Sequence, residues 1–359
     1  MPLGPRVRLA LLITAKLFTP HALVVRRLHV VRTRFVTPRM VRVTLGGPEL
    51  GAFERNGWNM PEFAYGAFDD HVKLLFTSDG DVEAVLPRQA EHGIEWTASE
   101  TRLARDYTPR RLDRAAGELD LDFVVHGGEH ATGPAEDWAR GARPGDAVHL
   151  VGPKSSASNP DGIRRVVLVG DETALPAIGR FFDERPIDAP AHAIITIADE
   201  SARQDLAARA GDEVQWVIAA PGDPAPIVAA VEALGELPEQ TYFWAAAESR
   251  ALLPVRRHVT RTLGIPKSHV DVTGYWHLVE HDETDASGEA ATDDTDAHEH
   301  LEPPITWFAV RAALRLAAAR APRELANEDR ARAVDERERD EQTDVREGEV
   351  AEQKLCHER

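Results

Sequence analysis

The pattern of apolar residues changes near Pro160, and this change constrains the fold more than any other feature of the sequence. Before it, polar and apolar residues alternate in short runs such as Met40–Leu45, and glycines such as Gly46 and Gly47 separate the runs. Several short strands at this spacing predict a small antiparallel barrel or sandwich. After it, continuous apolar runs such as Arg165–Gly170 alternate with helical patterns, which is typical of a doubly wound α/β domain. The sequence therefore predicts an α/β protein of two domains, first a β-barrel and then a parallel sheet with helices.

The same patterns predict the individual elements. Before Pro160 we expect one helix, starting at Gly133–Trp138, and strands at Ala22–Val36, Met40–Leu45, His71–Phe76, Leu119–His126 and Ala147–Val151. After Pro160 we expect buried strands at Arg165–Gly170, Ala193–Ala198, Val214–Ile218 and Thr241–Ala246, and a last strand at Val270–Trp276. A helix should follow each of the first four of these strands. The first should begin at Asp171-Glu172-Thr173 and run through Phe182, and the clearest is Arg250–Leu263.

The two ends of the chain differ from both domains in composition. Residues 282–359 contain 22 Asp and Glu against 11 Lys and Arg, so this part supplies −11 of the net charge of −18. We expect an acidic linker over residues 282–302, an amphipathic helix over Ile305–Arg320 and a charged, helical or disordered tail. The predicted division is an N-terminal extension (1–21), a first domain (22–157), a second domain (158–281) and the tail (282–359).

Composition excludes several classes of protein. A net charge of −18 argues against a dedicated nucleic-acid binder. Cys356 is the single cysteine, which excludes a disulfide framework, a Cys-rich zinc site and a four-thiolate iron–sulfur cluster, and favours the cytoplasm. Lys16 interrupts the apolar run Leu9–Ala15, and no stretch reaches the about 18 apolar residues of a membrane span. We therefore expect a soluble protein, without a signal peptide and without a protein-bound metal.

The segment Arg105-Asp106-Tyr107-Thr108-Pro109-Arg110 carries the most informative chemistry. An exposed tyrosine between two arginines offers a ring face beside an anion clamp. The ring can stack on a flat aromatic ligand, and a guanidinium can bind phosphate in a bidentate fork. Thr108 adds a hydroxyl and a backbone N–H at the edge of the ring. The segment therefore suits an aromatic ligand joined to phosphates.

Further loops lie where phosphates or nucleotides bind. The helix start at Gly133 presents free backbone N–H groups, which attract phosphate. The loop Gly170–Pro176 follows a buried strand, at the position where an α/β sheet binds a dinucleotide. This loop lacks the G-x-G-x-x-G fingerprint, so the evidence from each loop alone is weak.

Taken in order, these motifs resemble the siderophore-interacting protein family, which consists of FAD-binding ferric-siderophore reductases of the ferredoxin-reductase superfamily. The resemblance covers about residues 22–281. It is carried by Thr37–Val43, Asp70–Leu74, Arg105-x-Tyr107-Thr108-x-Arg110, His126-Gly127, Gly133-Pro134-Ala135-x-x-Trp138-Ala139, Gly152-Pro153, Gly170–Ala177 and Gly274-Tyr275-Trp276.

The resemblance implies that the first domain binds FAD. Arg105 would bind the pyrophosphate, Tyr107 would stack on the isoalloxazine, and Thr108 would lie near the reactive flavin nitrogen. Arg110 belongs to the same segment. The pyrophosphate site would be completed by His126, Gly133, Pro134 and Ala135.

The resemblance also implies a nicotinamide site and a substrate site. The NADPH or NADH side would be lined by Asp171, Glu172, Thr173, Ala174, Ala246, Glu248 and Trp276. The choice of nucleotide stays open, because Asp199 and Glu200 favour a ribose diol whereas Arg203 could hold a 2′-phosphate. The anionic ferric chelate would meet a basic cluster, of which Lys73 and Lys154 occupy two positions.

Two departures from the family pattern affect these expectations. The third basic position falls on Asp271, whose carboxylate would repel a trianionic tris-catecholate, so a hydroxamate or mixed chelate is favoured. Glu136 replaces a common serine beside the pyrophosphate, where a carboxylate is unfavourable unless it points away from the phosphates.

The expected activity is the transfer of electrons from NAD(P)H, or from a separate ferredoxin, through FAD to Fe(III) in a siderophore. Reduction releases iron because hard oxygen ligands bind Fe(III) better than Fe(II). Two alternatives remain: a general NAD(P)H flavin reductase or diaphorase, and a non-catalytic protein that binds flavin or siderophore.

Overall fold

A computed structural model describes residues 17–125 and 133–278, and these residues form two main sheets, one antiparallel and one parallel. The first part of the chain contains helices α1 (Val82–Val85) and α2 (Pro134–Gly141). Its strands are β1 (Phe18–Pro20), β2 (Val25–Thr37), β3 (Met40–Gly46), β4 (Phe53–Arg55), β5 (Trp58–Met60), β6 (Val72–Thr77), β7 (Arg88–Ala90), β8 (Gly93–Glu95), β9 (Arg102–Tyr107), β10 (Pro109–Asp113), β11 (Glu118–Val124), β12 (Ala147–Val151) and β13 (Ser155–Ala157).

Seven of these strands form a curled antiparallel sheet in the order β10-β11-β3-β2-β12-β6-β9. Strand β9 continues into β10 through Thr108 alone, so one stretch of chain supplies both edges of the sheet. The sheet must therefore curl on itself, as the predicted barrel requires. Its inner face buries the alternate apolar side chains Val43, Leu45, Leu74, Leu121 and Leu150.

The second part of the chain forms a five-stranded parallel sheet with helices. Its elements are β14 (Arg165–Gly170), α3 (Leu175–Glu184), β15 (Ala191–Ile197), β16 (Glu213–Ile218), α4 (Pro224–Glu232), β17 (Thr241–Glu248), α5 (Leu252–Arg257) and β18 (Val270–Trp276). The strand order is β16-β15-β14-β17-β18, and every neighbouring pair is parallel. Separate apolar clusters lie on the two faces of this sheet, so its inner strands β14, β15 and β17 are buried on both sides and read as continuous apolar runs. The edge strand β16, predicted to be buried, is half-buried or exposed along its length, because it has a neighbouring strand on one side only. The predicted two-part α/β fold is confirmed.

Two predictions about helices in this sheet are wrong. The segment after β15 is not an α-helix but a single 3₁₀ turn, Glu200–Ala202. In the stretch that follows, the Asp212 carboxylate accepts hydrogen bonds from the backbone N–H of Arg209 and of Ala191. A side chain that takes up backbone donors in this way competes with helix formation. The helix after β14 begins at Leu175 rather than at Asp171, because the Asp171 side chain closes a turn onto the Thr173 N–H at 2.8 Å.

None of the helices in residues 17–125 and 133–278 is long and apolar enough to cross a membrane. Within the same residues, no group of three His, Cys, Asp or Glu side chains forms a metal-binding cluster. The expected amphipathic segment Ile305–Arg320 and the rest of the predicted tail lie outside the described residues, as do residues 1–16 and His126.

Candidate active site

The β9–β10 edge presents Arg105 and Tyr107 from one face, because residues two apart in a strand point the same way. The Arg105 guanidinium is exposed, and its Nη1 donates a 2.9 Å hydrogen bond to the carbonyl oxygen of Ala104. A charged, exposed guanidinium at a sheet edge is a suitable donor for a phosphate.

Tyr107 is more buried than the sequence suggested. Its ring lies 4.3 Å from that of Phe123, tilted by 38°, and Phe123 in turn contacts Trp138. Burial raises the pKa of the Tyr107 hydroxyl above its usual range, so the group stays protonated at neutral pH. Phe123 therefore supports one side of the ring that is expected to meet the flavin.

The segment from Thr108 to Arg110 contacts the second part of the chain. Thr108 is buried, and the carbonyl oxygen of Pro109 accepts a 3.3 Å hydrogen bond from Nη1 of Arg180 in α3. The Arg110 Nη1 donates a 2.6 Å hydrogen bond to Asp183 of α3, and its guanidinium packs over Gly179. A Cβ at Gly179 would lie 3.0 Å from that guanidinium, so glycine makes room for it. The predicted contact between Arg110 and FAD would have to use the guanidinium donors that Asp183 does not engage.

The start of α2 has the features of an anion site. Pro134 stands in the first turn, where its missing N–H costs nothing, and Gly133 before it is extended and exposed. The buried Glu136 carboxylate pairs with Arg140 one turn later, at 2.9 Å. The carboxylate that the sequence placed beside the phosphates is thus compensated by a guanidinium.

These residues fit FAD. Arg105 and the α2 N-terminus are positive groups for a pyrophosphate, and Tyr107 is an aromatic ring backed by Phe123. Ala135 packs into the barrel core behind the helix start, which anchors it.

A cleft lies at the carboxyl ends of the parallel strands, where ligands bind in such sheets. The predicted residues Asp171, Glu172, Thr173, Glu248 and Trp276 all line it.

The predicted residues Ala174 and Ala246 are buried beside this cleft, next to Gly170. A Cβ at Gly170 would lie 2.3 Å from the Cβ of Ala174 and 2.8 Å from the carbonyl oxygen of Ala246. Glycine is therefore required for this close approach of the turn to β17.

Two acids, the half-buried Asp171 and the buried Glu248, organise the cleft. Asp171 Oδ2 accepts hydrogen bonds from the Trp276 indole at 2.7 Å and from the Glu248 N–H at 3.1 Å. The Glu248 carboxylate in turn accepts from the N–H of Ala251 at 2.7 Å and of Leu278 at 3.3 Å. Asp171 and Glu248 thus position the backbone around the cleft.

The basic cluster differs from the sequence expectation. Lys73 Nζ forms an ion pair with Asp106, with distances of 2.8 and 3.0 Å to the two carboxylate oxygens. Lys154 is exposed, and Asp271 lies on β18 opposite Trp244. The sequence suggested a cluster of two cations, Lys73 and Lys154, and one carboxylate, Asp271, and did not include Asp106. Asp106 is the cross-strand neighbour of Lys73, and only the register of β6 and β9 shows this.

Arg39 belongs to the family segment Thr37–Val43, but sequence reasoning gave it no role. It lies in the turn between β2 and β3, and its Nε donates to Glu172 Oε1 at 3.1 Å. Its Nη1 lies 3.7 Å from Asp199 Oδ2. Arg39 thereby joins the barrel to the edge of the cleft, and no local motif marks that role.

A curled antiparallel sheet with an Arg-x-Tyr-Thr edge, joined to a parallel sheet with a cleft at its carboxyl ends, defines a two-domain flavoprotein of the reductase type. Residues 29–157 match the siderophore-interacting FAD-binding domain, and residues 163–279 match the siderophore-interacting protein family. The chain belongs to the siderophore-interacting protein family.

Individual relatives agree with this. The chain is 30% identical to the NADPH-dependent ferric-chelate reductase of Escherichia coli over 256 residues, which cover 70% of this chain and 92% of the relative. A siderophore utilization protein from T. fusca is 35% identical, with a TM-score of 0.64 over 74% of this chain and 98% of that one. The siderophore-interacting protein SipS from Aeromonas hydrophila is 30% identical, with a TM-score of 0.56 over 72% and 93% of the two chains.

Proposed function

We propose that the protein is an FAD-dependent oxidoreductase that takes electrons from a nicotinamide nucleotide and reduces Fe(III) held by a siderophore. The observation that carries this is that Val124 of β11, which follows the Phe123 that supports Tyr107, lines the same cleft as Asp171 and Trp276. It brings the expected flavin site and the nucleotide cleft side by side. The named activity of the E. coli relative supports the same reaction.

The chain's own residues have separate tasks in this proposal. Bound FAD supplies the exchange between hydride transfer and single-electron transfer. Arg105 and the start of α2 hold the pyrophosphate, and Phe123 supports Tyr107. Thr108, buried between β9 and β10, lies at the edge of the proposed flavin site.

The substrate is proposed to approach past Lys73 and Lys154. Because Asp106 pairs with Lys73, the net attraction for an anionic chelate is small. This supports a moderately charged hydroxamate or mixed chelate over a trianionic tris-catecholate. We further propose NADPH or NADH as the electron source, with a separate ferredoxin as the alternative donor, and the cytoplasm, where these donors are available, as the site of the reaction.

The test uses purified full-length protein reconstituted with FAD, under anaerobic conditions. NAD(P)H oxidation is followed with and without a ferric hydroxamate, while a ferrous chelator traps released Fe(II). Oxidation that depends on the ferric chelate and yields Fe(II) supports the proposal. Iron-independent oxidation would instead indicate a general flavin reductase, and binding without turnover would indicate a carrier. Failure to bind FAD at all would overturn the flavoprotein assignment.

A further inference from the structure

The carboxyl end of β15 lies where the adenosine ribose of a cleft-bound nucleotide is recognised. In parallel sheets of this type, a carboxylate after the second strand hydrogen-bonds the ribose 2′-hydroxyl of NAD, whereas an arginine accommodates the 2′-phosphate of NADP. Ala198 lines the cleft and Asp199 follows it directly. The sequence left the choice open because Asp199, Glu200 and Arg203 stand together, and the pairing of these side chains decides it.

Asp199 is held as an ionised acceptor. Its Oδ1 accepts the backbone N–H of Ser201 at 2.8 Å and also the Ser201 hydroxyl, which lowers the pKa of the carboxyl below its usual value. The side chain is 54% exposed, so it can reach a ligand. A carboxylate in this state accepts hydrogen bonds from a diol and repels a phosphate.

Arg203, the candidate partner for a 2′-phosphate, is already engaged. Its guanidinium forms a two-pronged ion pair with Glu200, with Nε at 2.5 Å from Oε2 and Nη2 at 2.8 Å from Oε1. A fork-to-fork pair of this kind occupies the Nε–Nη2 edge of the guanidinium, one of the edges that can bind a phosphate in a fork. A 2′-phosphate bound through that edge would have to displace Glu200. Both side chains are exposed, so water screens the pair.

Arg39, the second guanidinium at this edge, is engaged too. Its Nε donates to the two carboxylate oxygens of Glu172 at 3.1 and 3.4 Å, and its Nη1 lies 3.7 Å from Oδ2 of Asp199. The group thus has three carboxylates, Asp199, Glu200 and Glu172, against two guanidiniums. Its balance is negative by one charge, which disfavours a further dianion.

We propose that this arrangement makes the protein select NADH over NADPH, with Asp199 as acceptor for the 2′-hydroxyl and the Glu200–Arg203 pair as the barrier to the 2′-phosphate. The inference rests on the proposed function, since it concerns the same cleft. It distinguishes this chain from its E. coli relative, whose name states dependence on NADPH.

The test measures binding first and turnover second. Calorimetric titration of the FAD-loaded protein with ADP-ribose and with 2′-phospho-ADP-ribose isolates the 2′ position without requiring electron transfer. We expect ADP-ribose to bind at least about tenfold more tightly, because the Asp199 carboxylate accepts the 2′-hydroxyl and repels a phosphate, and because Glu200 competes with that phosphate for Arg203. In Glu200→Gln the freed Arg203 should strengthen binding of the 2′-phosphate form about tenfold, and Asp199→Asn should weaken ADP-ribose. Glu239→Gln, which removes an exposed carboxylate just before β17 at the opposite edge of the sheet, is the matched control.

Each outcome bears on one claim. Equal or tighter binding of the 2′-phosphate form by the wild type, or no binding of either compound, overturns the inference. An unchanged ratio of affinities in both variants overturns the roles of Asp199 and Glu200. If discrimination is as expected but NADH does not reduce the flavin, the inference stands and the proposed NADH-linked reductase activity fails.

Discussion

The indole N–H of Trp276 donates a 2.7 Å hydrogen bond to the Asp171 carboxylate, and this bond joins the end of the last strand to the turn after the first strand of the parallel sheet. The two residues are 105 positions apart in sequence. The same carboxylate oxygen accepts the N–H of Glu248 at the end of β17. Asp171 therefore connects the carboxyl ends of three strands, β14, β17 and β18, at the cleft.

Removing this indole donor should weaken nucleotide binding and spare the flavin. Trp276→Phe keeps an aromatic ring but leaves Asp171 without one of its donors. The bond fixes the edge of the cleft, and without it that edge is less ordered in the free protein. We therefore expect the KM for NADH to rise about tenfold, which corresponds to about 1.4 kcal/mol. Steady-state kinetics and the flavin absorbance measure both quantities. Trp96→Phe, at an exposed tryptophan of the barrel, is the control, and an equal rise there would contradict the role of Trp276.

The flavin should depend on Arg105 and Tyr107. Arg105→Ala removes a charge-assisted phosphate contact, at a cost of about 1.5–3 kcal/mol or roughly ten- to a hundredfold in FAD affinity. Tyr107→Ala removes the stacking surface and should also lose most of the flavin. Equilibrium titration of the apoprotein with FAD gives the dissociation constants. The exposed Arg88, paired with Glu95 on the β7–β8 hairpin, provides the control Arg88→Ala, which should retain wild-type affinity.

The ion pair between Lys73 and Asp106 should tune the reaction with charged chelates. Lys73→Glu should raise the KM for an anionic ferric siderophore, whereas Asp106→Asn should lower it because Lys73 is released. Lys154→Glu should act like the first variant and Asp271→Lys like the second. Both effects should shrink with added salt, since exposed charges are screened over about 8–10 Å.

Stopped-flow reoxidation of the reduced flavin by hydroxamate and catecholate chelates gives the measurement. Flavin reduction by NADH serves as the internal control and should stay nearly constant. Identical reoxidation rates in Lys73→Glu, Asp106→Asn and the wild type would show that the chelate binds elsewhere.

Gly170→Ala should destabilise the parallel sheet. The new Cβ would lie 2.3 Å from the Ala174 Cβ and 2.8 Å from the Ala246 carbonyl, so backbone has to move. Overpacking of this kind costs about 1–3 kcal/mol, which thermal or urea unfolding detects. Gly93→Ala is the control, since a Cβ there meets open space. A Gly170→Ala protein as stable as the wild type would mean that the β14 turn can relax.

His149 should make the protein sensitive to mild acid. It is 4% exposed on β12, and burial lowers the pKa of its imidazole below the usual 6.5, while Glu83 at 3.5 Å opposes this effect. Between the lowered pKa and 6.5 the unfolded chain binds more protons than the folded one, so the free energy of unfolding falls as the pH drops below 6.5. Unfolding midpoints at pH 7.5 and 5.5 should differ less in His149→Gln than in the wild type. His92→Gln, at an exposed histidine, should keep the wild-type difference.

The sequence predicted those parts of the fold that depend on local patterns. The alternation in Met40–Leu45 and the continuous apolar run Arg165–Gly170 correspond to β3 and β14, because the burial of one or two faces of a strand is written directly into residue order. The helix predicted after β15 does not form, because the interactions that replace it are not local in sequence. They are made by Asp212, which binds the Arg209 N–H and forms an ion pair with Arg185, a residue that precedes β15.

The sequence by itself determined the order of the two sheets, the residue types at the flavin edge and the acids and glycine at the start of the cleft, since each follows from local spacing and chemistry. Only the tertiary structure decided which charges neutralise one another. Lys73 meets Asp106 through strand register, Arg110 meets Asp183 across the contact between the two sheets, and Arg39 reaches Glu172 from a turn of the barrel. The strength of a charged interaction depends on distance and burial in space, which residues far apart in sequence acquire only when the chain folds.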